Sequence, residues 1–302
     1  MSHRKKFFPV IISALVVAVL FSALVTYHPQ LGWNRVYRAF GLIEPDTDRG
    51  EVHFIDVGQG DSILLCSASS FTLVDGGPRA KQVETLDYIR ARGITRLDAV
   101  FATHLHEDHI GGLAAILAEI SARTVYLVQG APGSEKDTKT YQNLMKVIAA
   151  QGLSVVKPEP GTRFALDRFD LEILAPLTEF SSDENNNSIV IRAEYGKISF
   201  LLTGDAEKES EAAMLQSGRT LSATVLKMGH HGSKTSTTEA FLAAVRPLYA
   251  VISCGRNNAY GHPNDDVVAR VEKAGARIYR TDVNGTVVVF TDGEQVEVKT
   301  AA

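Results

Sequence analysis

Cysteine is scarce in this chain of 302 residues: Cys66 and Cys254 are its two, and both stand in apolar runs, SILLC and YAVISC, that read as buried strands. Two thiols allow one bridge at most, and the burial habit of cysteine favours two free thiols over that bridge. A basic surplus is also missing, since the formal charge is -4 and the sequence pI is about 6.1. That excludes the long cationic groove through which proteins hold nucleic acid by phosphate neutralisation. It leaves room for a small cleft acting on phosphodiesters, where bound divalent cations would supply the positive charge. No repeat of fixed period runs along the chain, which argues against a solenoid.

What is present is the make-up of an ordinary folded protein, 45% hydrophobic and 22% charged, with apolar surface enough for a sizeable core. One long uncharged run, Phe7 to Tyr27, follows Arg4, Lys5 and Lys6. At about 1.5 Å of rise per residue it matches a hydrocarbon core of about 30 Å, so residues 1–28 are expected to form a transmembrane helix. No small-x-small cleavage triplet precedes His28, which favours an uncleaved anchor over a signal sequence. The basic cluster on the N-terminal side predicts a single-pass protein of the cell membrane with its folded domain outside the cytoplasm, secretion after cleavage being the alternative. Residues 29–50, with Trp33, Tyr37 and Phe40 at helical spacing, read as a juxtamembrane linker or an interfacial helix. Pro45, Asp46, Asp48 and Gly50 break the chain, and the folded domain is expected over 51–302.

Within that domain short strand-like runs such as EVHFIDV, SILLC, FTLVD and LDAVFAT come first. Helical patterns are expected near 83–92, 110–119, 140–151 and 206–217, and over TTEAFLAAV and DVVARVEKA, with strands between and after them. Helices set between many of the strands imply sheets covered by helices, an α/β domain.

The densest chemistry lies in THLHEDHIGG, where His104, His106, Asp108 and His109 stand on a loop between a strand and a helix. Four potential ligands so close together can converge on one point, and imidazole with carboxylate suits zinc, manganese or iron.

This segment resembles the HxHxDH signature of the metallo-β-lactamase fold, an αββα sandwich. The resemblance implies that His104 and His106 serve one metal, that Asp108 and His109 serve a second, and that Glu107 points elsewhere. LVDGG, with Asp75, resembles the motif whose aspartate orients the metal loop, and FLLTGDA, with Asp205, the motif whose aspartate bridges both ions. LKMGHHGS resembles the last ligand position. Either His230 or His231 could fill it, and His230 is favoured because it directly follows the strand and Gly229. The fold usually supplies one more histidine to the first site, yet no histidine occurs from Ile110 to Gly229. NNNSIVI stands there instead, so Asn187 is the substitute expected, and its harder amide oxygen would favour manganese.

DVGQGDS, THLHEDHIGG, NNNSIVI, LLTGDAE, VLKMGHHGSKTS and YGHP together resemble the metallo-β-lactamase domain at the C-terminus of ComEC-type DNA-uptake proteins. The implied activity is that of a phosphodiesterase or nuclease using two divalent ions, zinc or manganese, on a phosphodiester such as DNA. Hydrolysis of another ester, a thioester or a β-lactam, or a non-catalytic binding module, are the alternatives. Asp108, His231 and His262 are the acid–base candidates, with Asp61, Asp75 and Ser233 beside the metals or the substrate. Ser233 to Ser236 are expected either to start a phosphate-binding helix or to cap one. With one hydrophobic segment in place of a channel, this chain is not expected to transport DNA alone, which makes a DNA-uptake channel protein a candidate partner.

Overall fold

The structure, a computed structural model, describes residues 17–23, 49–128, 138–178 and 183–301. The chain divides into two units, Met1–Pro45 with Asp87–Thr95, and Asp46–Leu86 with Arg96–Ala302. In the first unit, residues 17–23 form a helix. Among the described residues no helix is long and apolar enough to cross a membrane. The expected single-pass anchor therefore does not hold, nor do the membrane as a partner and the topology that rested on it. The rest of the run from Phe7 to Tyr27, and the stretch around Trp33, Tyr37 and Phe40, lie outside the described residues.

The second unit holds two sheets. The first comprises Gly50–Phe54 (β1), Ile63–Ser67 (β2), Ser70–Val74 (β3), Arg96–Ala102 (β4), Ser121–Leu127 (β5), Ser154–Val156 (β6), Val287–Thr291 (β14) and Val296–Thr300 (β15). Its order is β15-β14-β1-β2-β3-β4-β5-β6, so the strand that opens the unit pairs with the hairpin that closes it. The second comprises Arg163–Leu166 (β7), Phe169–Ala175 (β8), Val190–Tyr195 (β9), Ile198–Leu202 (β10), Val225–Lys227 (β11), Tyr249–Ile252 (β12) and Arg277–Arg280 (β13), in the order β13-β12-β11-β10-β9-β8-β7. Here β10 to β13 are parallel, and parallel neighbours need long crossovers. The helices Lys208–Gln216, Glu239–Val245 and Asp265–Lys273 supply them.

Local sequence starts two of these helices where they are needed. Thr238 accepts a hydrogen bond from the amide of Phe241 at 3.3 Å, and Asn264 from that of Asp266 at 3.2 Å, each satisfying a donor that the first helical turn leaves free. The three helices cover the second sheet through Met214, Phe241, Val245, Val267 and Val271, in one buried cluster with Leu226 of β11. Full burial of each such side chain stabilises the fold by about 1.5–3 kcal/mol. On the inner side the ring of Phe164 from β7 stacks on Tyr126 of β5 at 5.4 Å and on Phe101 of β4 at 6.0 Å, which joins the two sheets. With Leu113–Glu119 packed between β5 and the helix Lys139–Ala150, the layers run helix, sheet, sheet, helix.

One expected helix is divided. The pattern near 110–119 forms Glu107–Ile110 and Leu113–Glu119, with Gly111 and Gly112 at the break. A side chain on either glycine would clash with the backbone of the loop after β3, at Arg79 and Gly76. That close approach lets Gly76 donate to the carbonyl of His109, and Gly112 to that of Gly77, both at 2.8 Å. The Asp75 turn and the histidine loop are thus stitched together through their backbones.

Candidate metal centre

Four strands deliver the polar residues of the site from their C-terminal ends. Asp75 follows β3, His104 to His109 follow β4, Asp205 follows β10, and the histidine pair follows β11. Tertiary packing makes Asp205 the hub, with the Nε2 atoms of His109 and His231 each 3.3 Å from its Oδ2. Those of His230 and His104 lie 3.8 and 3.9 Å from the same oxygen. On one side His104 Nε2 faces His106 Nδ1 at 3.1 Å. On the other, His231 Nε2 stands 3.3 Å from Asp108 Oδ2 and 3.4 Å from His109 Nε2.

The far nitrogens of these rings are held from behind. Asp75, fully buried, accepts from the amide and the hydroxyl of Thr103 and faces His109 Nδ1 at 2.8 Å. The Ser253 carbonyl takes His231 Nδ1 at 2.9 Å. Partners on Nδ1 fix each imidazole with Nε2 turned towards Asp205, the usual support for a metal-binding histidine.

Charge in the cluster is strongly polarised. Burial opposes a cation at His109 and at His231, but the surrounding carboxylates, Asp205 foremost, outweigh it and hold both well above the ordinary imidazole range. Burial and the charge of His109 push His104 well below that range. Asp205 resists its own burial because His231 and His109 stabilise its charge, so it is held well below the ordinary carboxylate range. Its Oδ1 is buried with no hydrogen-bond partner among the described residues, an acceptor of the kind a cation satisfies. Asp61, His109, Asp205 and His231 each place one potential ligand atom so that all lie within 4.8 Å of one another. This is a buried His/Asp cluster capable of holding metal ions, and imidazole with carboxylate fits divalent cations of borderline softness.

Other residues singled out in the sequence occupy distinct places. Of the histidine pair it is His231 that enters the cluster, whereas His230 is partly exposed and gives Nδ1 to Glu207 Oε1 at 2.7 Å. Asp61 lies on the Nδ1 side of the rings, 3.6 Å from His231 and 4.0 Å from His109, and bonds Lys227 Nζ at 2.6 Å. Asn187 donates its amide to the Asp183 carbonyl at 3.3 Å. The residue of that segment which meets His104 is Ser188, whose hydroxyl is 3.4 Å from Nδ1 and accepts from the Asp205 amide at 3.0 Å. Asn186 braces the same turn, its Oδ1 accepting from the amides of Glu207 and Ser210.

Ser233 bonds Thr235 within a turn, and the next helix is capped by Thr238, so Ser233 to Ser236 neither start nor cap a helix. His262 sits edge-on to His230 at 5.3 Å, and burial with the charges of His230 and His231 lowers it to about 4. Glu107 turns away to accept from the Arg79 amide, and His53 pairs with Glu51. Neither cysteine is in a disulfide, with Cys66 half-buried and Cys254 buried. Lys227, Ser188 and Glu207 were not anticipated. For Lys227 a signal existed, a single cation inside the apolar strand ATVLKM.

Comparison with known proteins agrees with this geometry. Residues 55–256 match the family described as the Metallo-beta-lactamase superfamily. ComE operon protein 3 of Bacillus subtilis (strain 168) is 33% identical over 259 residues, covering 80% of this chain and 33% of that protein. Competence protein ComA of Neisseria gonorrhoeae is 35% identical over 232 residues, 76% of this chain and 30% of that one. The chain thus spans about a third of the length of these relatives. Among solved structures, the metallo-beta-lactamase fold protein YhfI of Bacillus subtilis superposes with a TM-score of 0.53 at 14% identity, covering 81% of this chain and 100% of that one. Igni18, a metallo hydrolase of Ignicoccus hospitalis KIN4/I, gives 0.53 at 18% identity over 79% of this chain and 98% of that one. At such identities these two likenesses concern the fold.

Proposed function

The chain belongs to the metallo-beta-lactamase superfamily and is related to the competence proteins of that fold, and on that premise we propose that it is a phosphodiesterase or nuclease dependent on two divalent ions. One observation carries the reading: imidazole nitrogens approach Asp205 Oδ2 from two sides while its Oδ1 stays unpaired, an arrangement suited to a carboxylate shared between two ions. His104 and His106 would hold the first ion, Asp108, His109 and His231 the second, and Asp205 both. Such ions, zinc or manganese, supply Lewis-acid activation of water and neutralise charge on the phosphoryl oxygens.

The remaining residues orient and move protons. Asp75 and the Ser253 carbonyl fix the rings of His109 and His231, and Ser188 holds the Asp205 turn against His104. A ring committed to an ion through Nε2 and to Ser253 through Nδ1 has no nitrogen left for the leaving oxygen. His230 is not so committed: Glu207 orients its Nδ1, and its Nε2 reaches the site 3.8 Å from Asp205. We assign it the general-acid role, a carboxylate–imidazole pair of the usual kind. DNA is the substrate class favoured by the kinship with a competence protein.

The test is hydrolysis of bis-p-nitrophenyl phosphate, single-stranded DNA and nitrocefin by the full chain with zinc or manganese, alongside metal content by mass spectrometry. Phosphodiester turnover that EDTA abolishes is expected, with Asp205→Ala losing both turnover and bound metal. Nitrocefin hydrolysis without phosphodiester hydrolysis would overturn the assignment.

A further inference from the structure

Tyr260 is 71% exposed, an unusual position for a ring held by so constrained a loop. Asn258 fixes that loop by itself. Its Oδ1 accepts from the amides of Tyr260 and His262 at 3.1 and 3.0 Å, and its Nδ2 donates to the carbonyls of Gly255 and His262. Gly255 is tied in turn to Gln59 at 3.2 Å. The outward ring is thus the product of a hydrogen-bonded scaffold, and solvent exposure of the tyrosine is built in.

The ring also continues into the metal centre. Tyr260 lies nearly parallel to His262, 23° between planes and 5.9 Å between centroids. His262 is 5.3 Å from His230, whose Nε2 is 3.8 Å from Asp205. A row of three rings therefore runs from solvent to the hub of the cluster. Asn264 donates to the Gly232 carbonyl at 2.9 Å, which ties the segment after Tyr260 to the turn that leads into Lys234, an exposed cation.

An open aromatic face with a cation on an adjoining turn is a combination by which proteins hold single-stranded nucleic acid, the base stacking and the backbone finding positive charge. We propose that Tyr260 is a stacking platform for an unpaired nucleobase next to the scissile phosphodiester, with Lys234 meeting the flanking phosphate. The proposal rests on the phosphodiesterase reading and adds the substrate class, single-stranded nucleic acid. A double helix keeps its base faces stacked inside and has none to offer.

The experiment measures binding of a fluorescent oligothymidine to the full chain in EDTA, against an abasic oligomer of the same length, by anisotropy. Tyr260→Ala is expected to weaken binding of the base-bearing oligomer about tenfold, the size of one lost stacking contact, and to leave the abasic oligomer unchanged. Tyr260→Phe, which keeps the ring, is expected to restore binding. Lys234→Ala should weaken both oligomers equally and flatten the salt dependence. Equal loss for both oligomers in Tyr260→Ala, or no loss, would overturn the platform. Hydrolysis of bis-p-nitrophenyl phosphate by the same preparations keeps the two readings apart: its absence in the parent defeats the phosphodiesterase assignment, while its presence with no base preference defeats only the platform.

Discussion

Lys227 is fully buried, its ammonium 2.6 Å from Asp61 Oδ2, and both side chains are shut off from water. Lys227→Met keeps the length and removes the charge, which leaves the Asp61 carboxylate buried with a weaker set of partners. Two routes give the cost. Asp61 overcomes its own burial chiefly through Lys227, then His231 and His109, and is lowered from 3.8 to about 2. At 1.36 kcal/mol per pKa unit, its ionised form contributes about 2 kcal/mol at neutral pH. Breaking one side of a buried pair costs about 3–5 kcal/mol in general. His231 and His109 lie 3.6 and 4.0 Å from the same carboxylate and would absorb part of the loss. The expected cost is therefore about 3 kcal/mol in guanidinium unfolding of the EDTA-treated full chain at pH 7. Lys227→Met with Asp61→Asn should be more stable than Lys227→Met alone, because the stranded charge goes too. A depressed carboxyl pKa stabilises above the unfolded value and ceases to do so as pH falls through the folded one. The parent should therefore lose this contribution between about pH 4 and pH 2, and Asp61→Asn should not. A single-variant loss under about 1 kcal/mol, or purely additive effects in the double variant, would refute the reasoning.

Glu211, buried, accepts from the amides of Thr237 and Thr238, so it holds the turn between the histidine pair and the next helix. Glu211→Ala strands two donors and should cost about 2–4 kcal/mol in urea unfolding; a cost below about 0.5 kcal/mol would show that water replaces the carboxylate. Burial, with Asp282 beside it, pushes the Cys254 thiol up to about 12, so it should not react with Ellman's reagent in the native protein at pH 8. Two fast thiols before unfolding would contradict that burial, and fewer than two after unfolding would indicate a bond between Cys254 and Cys66.

The fold and the neighbourhood of the site were legible because the signals are local. The strand–loop–helix junction around His104 to His109, Asp75 after β3 and Asp205 after β10 each announce themselves by a polar cluster ending an apolar strand. Capping residues such as Thr238 and Asn264 are local too, each starting its own helix close to where the apolar pattern over TTEAFLAAV and DVVARVEKA put it. The apolar run near the N-terminus misled because length and hydropathy state what a segment could span and not what helix it forms, and no helix among the described residues is long and apolar enough to cross a membrane.

Sequence alone therefore determined sheets covered by helices, since these follow from periodicity, and, through motifs within a few residues that resemble a known family, the αββα class and the loops that carry the candidate ligands. Tertiary structure alone decided which of His230 and His231 enters the cluster, for the two are neighbours in the chain and differ only in the partners met there. Glu207 claims the first, while Ser253 claims the second. It also decided that Asp61 lies behind the rings, paired with a lysine from β11 far along the chain. Register within one segment can nominate a ligand, but the direction of a side chain is fixed by groups that only folding brings beside it.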